Sequence, residues 1–405
     1  MSKLEKLISE LCPNGVEFKT IGEIALDIYR GTGVTRDQVT TEGIPCVRYG
    51  EIYTTYDIWF DKCVSYTDEE IIKNKKYFEY GDILFAITGE SVEDIAKSCV
   101  YVGNEKCIAG GDTVVLKHKQ DPKYLSYALS TTEVQKQKSK GKVKSKVVHS
   151  SIPAIKEITI PVPPLSIQEE IARILDNFTE LTAELITELT AELTARQKQY
   201  EYYRDKLLTF SDEVEWKTLG DIGKVSMCKR IFKEQTQSNG EIPFYKIGTF
   251  GKEPDAYISQ ELFEEYKQKY SYPKKGEVLI SASGTIGRTV IFDGLPSYFQ
   301  DSNIVWIAND EKLVLNKYLF HFYKIAKWSI SEGGAISRLY NDNIKKTPIS
   351  IPTLQEQNRI VGILDCLEVL HNDIANELFT EIESRQKQYE YYRDKLLTFK
   401  EFKNE

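Results

Sequence analysis

The sequence predicts an α+β chain in which two mixed α/β bodies are joined by two long antiparallel helices, a coiled-coil-like spacer. Three observations carry this. The string RQKQYEYYRDKLLTF occurs twice without a change, at residues 196–210 and 385–399, 189 residues apart. Each copy closes a long amphipathic stretch, and those stretches align without a gap. The segments between them share only scattered matches, such as Gly81-Asp82-Ile83-Leu84 with Gly276-Glu277-Val278-Leu279. A duplicated frame carrying diverged bodies fits all three. Two such copies in one chain obey a pseudo-two-fold axis only if the long helices run antiparallel.

In order, residues 2–11 form a short amphipathic helix that stops at the turn cluster Cys12-Pro13-Asn14-Gly15. The first body, residues 18–160, is a series of short apolar runs at 83–87 and 113–116 that read as strands, with a helix near 123–130. Residues 161–215 make the central helical region. A second body at 216–350 has strand-like runs at 277–281 and 304–308 and a helix near 316–327, and residues 351–405 repeat the helical region. The segment 1–17 is expected to lie near the carboxyl-terminal helix. Joining the two ends would recreate the central junction, in which Leu207-Leu208-Thr209-Phe210 leads into Val214-Glu215-Trp216, so the layout is circular.

Each long helix starts after prolines, which stop a strand and suit a first helical turn. Ser166 with Glu169 and Thr353 with Glu356 have capping-box spacing. From there Ile171, Ile174, Leu175, Phe178, Leu181, Leu185, Leu189 and Leu193 fall opposite Ile360, Ile363, Leu364, Leu367, Leu370, Ile374, Leu378 and Ile382. Steps of three and four make one apolar stripe, with Glu184, Glu188 and Glu192 off it. Each helix spans about 45 residues, roughly 65–70 Å. The TAEL-like repeat at 181–195 adds about 6 Å per four-residue unit and suits a length setting, although its leucine step of four drifts off a strict seam.

The net charge of −8 is unevenly spread: residues 169–192 carry −6 and residues 357–384 carry −5, leaving the rest at +3. The acidity belongs to the frame, so it does not argue against a nucleic-acid partner. No apolar run is long enough for a membrane span, and the start lacks a signal-peptide core. Seven cysteines without a CxxC pair suit free thiols in a reducing cytoplasm. There is no phosphate loop, no GxGxxG, no HExxH and no NPPY-like tetrapeptide; the four histidines are scattered. Pro254-Asp255 followed by Glu265 and Lys267 resembles a nuclease signature, but the last two fall in a segment that reads as helix. No catalytic residue and no metal ligand is assigned.

Basic features are the better lead. Residues 136–146 read KQKSKGKVKSK, and on an extended chain Lys136, Lys138, Lys140, Lys142, Lys144 and Lys146 would project to one side. They suit a phosphate track; a solvated basic loop is the other reading. Base reading needs side chains such as Arg, Asn or Thr on loops. The candidates are Arg30, Thr32, Arg36 and Arg48 in the first body, and Lys229, Arg230, Lys246, Arg288, Arg338 and Asn341 in the second. In the doubled string, Tyr200, Tyr203 and Arg204 and their copies Tyr389, Tyr392 and Arg393 are candidate anchors for two identical partner subunits. The alternative is that they close the frame's own core.

Pro161-Val162-Pro163-Pro164-Leu165 leading into Gln168-Glu169-Glu170-Ile171-Ala172-Arg173-Ile174-Leu175-Asp176, its second copy around Gln357-Asn358-Arg359-Ile360, the TAEL-like repeat and the doubled string together resemble the specificity subunits of type I restriction–modification systems. The resemblance covers the whole chain and implies a non-catalytic, cytoplasmic subunit. It implies two target-recognition domains that each read half of an asymmetric, split site in double-stranded DNA, with the helices setting the gap. It also implies docking of two modification (methyltransferase) subunits that bind S-adenosylmethionine and methylate adenine. Two restriction subunits using ATP and Mg can join them; no cofactor is expected in this chain. A scaffold that spaces two identical proteins without DNA, and a stand-alone DNA-binding repressor, are the competing classes.

Overall fold

A computed structural model describes residues 2–89, 91–92, 94–140, 148–210, 214–330 and 337–402. The chain forms two compact units, Met1–Leu189 with Thr380–Glu405, and Thr190–Phe379. Among the described residues, no helix is long and apolar enough to cross a membrane.

In the first unit, helix α1 (Lys3–Leu11) opens on a capping box in which Ser2 and Glu5 each bond the other's backbone amide. Two five-stranded sheets follow. One has the order Asp27–Arg30, Thr113–Lys117, Ile83–Ala86, Ser98–Tyr101, Trp59–Phe60; the other runs Val39–Thr40, Ser65–Thr67, Ile44–Val47, Cys107–Ala109, Tyr77–Phe78. Ile83–Ala86 and Ser98–Tyr101 are buried throughout, which is why their sequences are short runs without polar alternation. Helices α2 (Pro122–Leu129) and α3 (Thr132–Ser139) are capped by Asp121 and Thr131. Their core continues into Ile167, Ile171 and Leu175 of the long helix α4 (Leu165–Leu208) and into Leu397. Val16 pairs with the last described segment, its amide donating to the Lys400 carbonyl at 2.8 Å. Gly15 permits this approach: at φ +117° a Cβ would stand 2.6 Å from that oxygen.

In the second unit, Glu215–Thr218 pairs antiparallel with Pro348–Ile351. A four-stranded sheet has the order Lys224–Met227, Ile304–Ala308, Val278–Ser281, Thr289–Ile291, and a three-stranded sheet the order Tyr257–Ile258, Ile242–Tyr245, Tyr298–Phe299. Helices α5 (Gln260–Lys269), α6 (Asn316–Tyr323) and α7 (Asn341–Lys346) belong to it, as does α8 (Leu354–Leu396) up to Phe379. Here the core joins Leu208 from the tail of α4 to Ile360 and Leu364 from the start of α8. At the Leu-Leu-Thr-Phe end of each doubled string, Leu208 and Leu397 are therefore body core, and Leu207, Phe210, Leu396 and Phe399 pack against it.

The frame helices are 44 and 43 residues long. In the first unit the start of α4 lies against the tail of α8: Phe178 stacks on Tyr392 with centroids 6.0 Å apart, and Thr179 Oγ1 lies 3.0 Å from the Tyr389 hydroxyl. In the second unit Tyr200 stacks on His371 at 5.1 Å. The helices run antiparallel, as the duplication requires.

A joint between body and frame is built twice around a buried glutamine. Gln168 Oε1 accepts from the Asp121 amide at 2.9 Å while Nε2 donates to the Pro163 carbonyl at 2.7 Å. Gln357 Oε1 accepts from the Leu315 amide at 2.8 Å, and its Nε2 donates to the Leu313 and Pro352 carbonyls at 2.8 and 2.9 Å. Beside them Asp176 takes Lys123 and Tyr127, and Asp365 takes Lys317 and His321.

Two expectations about the frame change. α4 begins at Leu165, and the Pro164 carbonyl accepts from the Ile167 amide at 2.9 Å, so Ser166 lies inside the first turn and does not cap it. Thr353 does cap α8, its Oγ1 accepting from the Glu356 amide at 3.3 Å; Pro164 holds the matching place. Second, Leu181 and Leu370 leave the apolar stripe, 63% and 52% exposed, while Thr182 and His371 take the inward position. A leucine step of four advances about 40° beyond each full turn, so an unbroken series cannot stay on one seam.

Candidate nucleic-acid interface and docking frame

In the first body, three predicted residues lie at the turn Ala109-Gly110-Gly111-Asp112, Arg30 through its side chain and Thr32 and Arg48 through the backbone at or next to them. Arg30 pairs with Asp112. The Thr32 amide donates to the Ala109 carbonyl at 2.9 Å, and the Gly110 amide to the Val47 carbonyl, next to Arg48, at 2.7 Å. Glycines are required here: a Cβ on Gly31 would lie 2.2 Å from the Gly110 oxygen, and one on Gly110 2.7 Å from the Val47 oxygen. Arg48 is steadied by Glu51 at 2.9 Å, and the Thr32 hydroxyl donates to the Lys73 carbonyl at 2.9 Å. Arg36 is exposed on the short turn Arg36–Gln38 of the same loop.

The second body builds the same place from other residues. The Gln300 amide donates to the Tyr245 carbonyl at 2.9 Å, the counterpart of Gly110 with Val47. Lys246 follows Tyr245 and pairs with Asp255 at 2.8 Å. Arg230 meets Asp301 at 2.9 Å, and Arg338 donates to Asn303 Oδ1 at 3.2 Å, which also accepts from Ser283 at 2.8 Å. Arg288 donates to the Phe250 carbonyl at 2.9 Å, bracing the turn after Lys246. Lys229 lies over the Tyr270 ring at 5.2 Å, and Asn341 begins α7. Thus Arg230, Lys246 and Arg338 gather at the Gln300–Asn303 turn. Gln300 and Asn303 are polar loop residues of the expected type that the sequence did not single out, because only the fold places them there.

The lysine run is corrected. Residues 136–139 are helical in α3 rather than extended, so alternate lysines do not share a side. Lys136 and Lys140 are exposed, but Lys138 is buried and donates to the Leu129 carbonyl at 2.8 Å, closing the end of α2. Burial pushes its pKa down to about 7. Lys142, Lys144 and Lys146 lie outside the described residues. The nuclease-like Glu265 and Lys267 lie on α5, with Glu265 bound to Lys269 at 2.9 Å.

The doubled string presents mixed faces. Tyr389 bonds Thr179, whereas the buried Tyr200 hydroxyl has no hydrogen-bond partner among the described residues; burial pushes its pKa up to about 12. Arg204 and Arg393 lie along Tyr200 and Tyr389 at 5.8 and 6.0 Å and pair with Asp205 and Asp394. These four side chains make contacts within the frame. Tyr203 and Tyr392 are exposed, and so, at 60% each, are their neighbours Tyr202 and Tyr391, over which Lys206 and Lys395 sit at 5.7 and 5.8 Å. The neighbouring tyrosines were missed because helical spacing put them off the apolar stripe.

Comparison with known proteins agrees with this architecture. The type I restriction modification DNA specificity domain matches residues 13–195 and again 211–384. A Haemophilus influenzae protein named as a type I restriction enzyme specificity subunit, S.HindORF215P, is 66% identical over 263 residues, 64% of this chain and 68% of that one. The EcoR124I/EcoR124II specificity subunit of Escherichia coli is 36% identical over 263 residues, 60% of this chain and 63% of its own. Among solved structures, a chain from a study of complex assembly and conformational transition of the type I R-M system superposes with a TM-score of 0.69 at 17% identity, covering 95% of this chain and 98% of that one. The HsdS subunit of Thermoanaerobacter tengcongensis gives 0.51 at 16% identity, with 96% and 97% covered. Duplicated frame, unlike bodies and family match together place this chain in the family of type I restriction–modification specificity subunits.

Proposed function

We propose that each body reads one half of an asymmetric bipartite site in double-stranded DNA, that α4 and α8 set the gap, and that the chain itself is non-catalytic and cytoplasmic. The observation that carries this is the equivalent placement, in two diverged bodies, of arginine- and lysine-bearing loops around one turn. Arg30, Thr32 and Arg48 face one half-site; Arg230, Lys246 and Arg338 face the other. Arginine forks suit guanine edges, and unlike sets of readers require unlike half-sites. Two adenine-methyltransferase subunits dock on the exposed tyrosines of the doubled string and bring S-adenosylmethionine; restriction subunits bring ATP and Mg. Duplex binding by the chain with its modification subunit, measured against salt, tests the reading. Tight, salt-sensitive binding is expected; salt-insensitive protein pairing that retains no DNA would replace it with a spacing scaffold.

A further inference from the structure

We propose that a lysine-lined cleft on the first body holds the DNA backbone beside the base-reading loops; this rests on the DNA-reading proposal above. The cleft, of about 330 Å³, is lined by Tyr29, Lys75, Lys76, Tyr77, Lys106 and Lys117, among others. It opens where the edge strands of the two five-stranded sheets meet, Asp27–Arg30 and Tyr77–Phe78, and the Tyr29 hydroxyl donates to the Tyr77 carbonyl across them.

Its cations are not equivalent. Lys117 is held internally by Asp82 at 2.8 Å and Glu79 at 3.0 Å, and Lys75 has Glu69 at 3.7 Å. Lys76 and Lys106 have no carboxylate within ion-pair reach among the described residues; they are exposed and rest on ring faces, 5.5 Å from the Tyr29 centroid and 4.0 Å from that of Tyr77. A ring face positions an ammonium group without neutralising it. Asp27 and Glu79 share the lining, so affinity for an anion rests on Lys76 and Lys106.

The cleft is tied to the reading loops at two points. Tyr29 precedes Arg30, and the Lys73 carbonyl that receives the Thr32 hydroxyl begins the run Lys73-Asn74-Lys75-Lys76. Asn74 turns that run at φ 54°, a left-handed conformation that asparagine tolerates. A backbone phosphate in the cleft would fix the register of the loops on the duplex while carrying no base information.

The test measures binding of the full chain, assembled with its modification subunits, to random-sequence duplex by fluorescence anisotropy over a salt series. Changing both Lys76→Gln and Lys106→Gln should reduce the slope of log affinity against log salt by about 2, one phosphate contact each. Lys76→Arg with Lys106→Arg should keep the slope, and so should Lys312→Gln, a lysine paired with Asp310 in the second body. An unchanged slope in the glutamine pair, with wild-type binding intact, overturns the cleft but leaves DNA reading standing. An equal drop in Lys312→Gln also overturns the cleft. Absence of salt-sensitive binding by the wild-type assembly overturns both.

Discussion

Replacing Gln357 by leucine keeps the side-chain volume but strips three backbone groups of their partner: the Leu315 amide and the Leu313 and Pro352 carbonyls, all at 2.8–2.9 Å from a fully buried amide. An orphaned buried backbone group costs roughly 1–3 kcal/mol, so the joint should lose about 3–6 kcal/mol, with the carbonyls at the low end. The effect is local. Hydrogen exchange at the Leu315 amide should quicken by about a hundredfold or more, since 1.4 kcal/mol corresponds to tenfold. The Asp121 amide, which donates to Gln168 in the first unit, should not respond, and Gln168→Leu should invert the pattern. Unchanged exchange at Leu315, or equal loosening at both amides, would refute the assignment of the two glutamines as separate body-to-frame joints.

Other expected outcomes follow from the same geometry. Deleting residues 190–193 together with the matching 379–382 shortens each long helix by about 6 Å, close to two base-pair steps, and should narrow the gap in the methylated site by about two pairs while leaving both half-sites intact; a changed half-site contradicts the spacer role. Burial pushes the pKa of His118 down from 6.5 to about 4. Below about pH 6.5 the unfolded chain binds a proton that the fold refuses until about pH 4, so the His118 contribution falls with pH, by about 2 kcal/mol between pH 7 and 5. Urea unfolding of the wild type and His118→Gln at both pH values checks this, and equal pH dependence in the two refutes it. Tyr202→Ala and Tyr391→Ala should each weaken capture of a modification subunit by roughly 30-fold, as an interface anchor of about 2 kcal/mol would, without lowering the melting temperature; undiminished capture removes them from the docking surface.

The frame was legible because duplication and helical periodicity are patterns of the string itself; the strands at 83–86 and 304–308 were legible as short apolar runs, and the helices expected near 123–130 and 316–327 are found at 122–129 and 316–323. Tertiary choices were not legible. Nothing in the spacing of residues 136–146 shows that Lys138 turns inward to close α2, because that depends on where the preceding helix ends. Leu181 and Leu370 matched the apolar template, yet only the facing helix decides which leucines keep a partner. The proposed reading loops bring together residues as far apart as Arg30 and Asp112 in the first body and Arg230 and Arg338 in the second, and their shared turn emerged only when Gly110 met Val47 and Gln300 met Tyr245. The run Lys73-Asn74-Lys75-Lys76 was visible in the sequence, but its relation to Lys106 was not.

The most direct test of two-body reading is methylation-sensitive sequencing of DNA exposed to the chain with its modification subunit, for the wild type, Arg48→Ala and Arg230→Ala. One asymmetric, bipartite methylated-adenine motif is expected for the wild type, with Arg48→Ala relaxing one half only and Arg230→Ala the other only. No bipartite motif, or both halves relaxing together in either variant, would contradict the account.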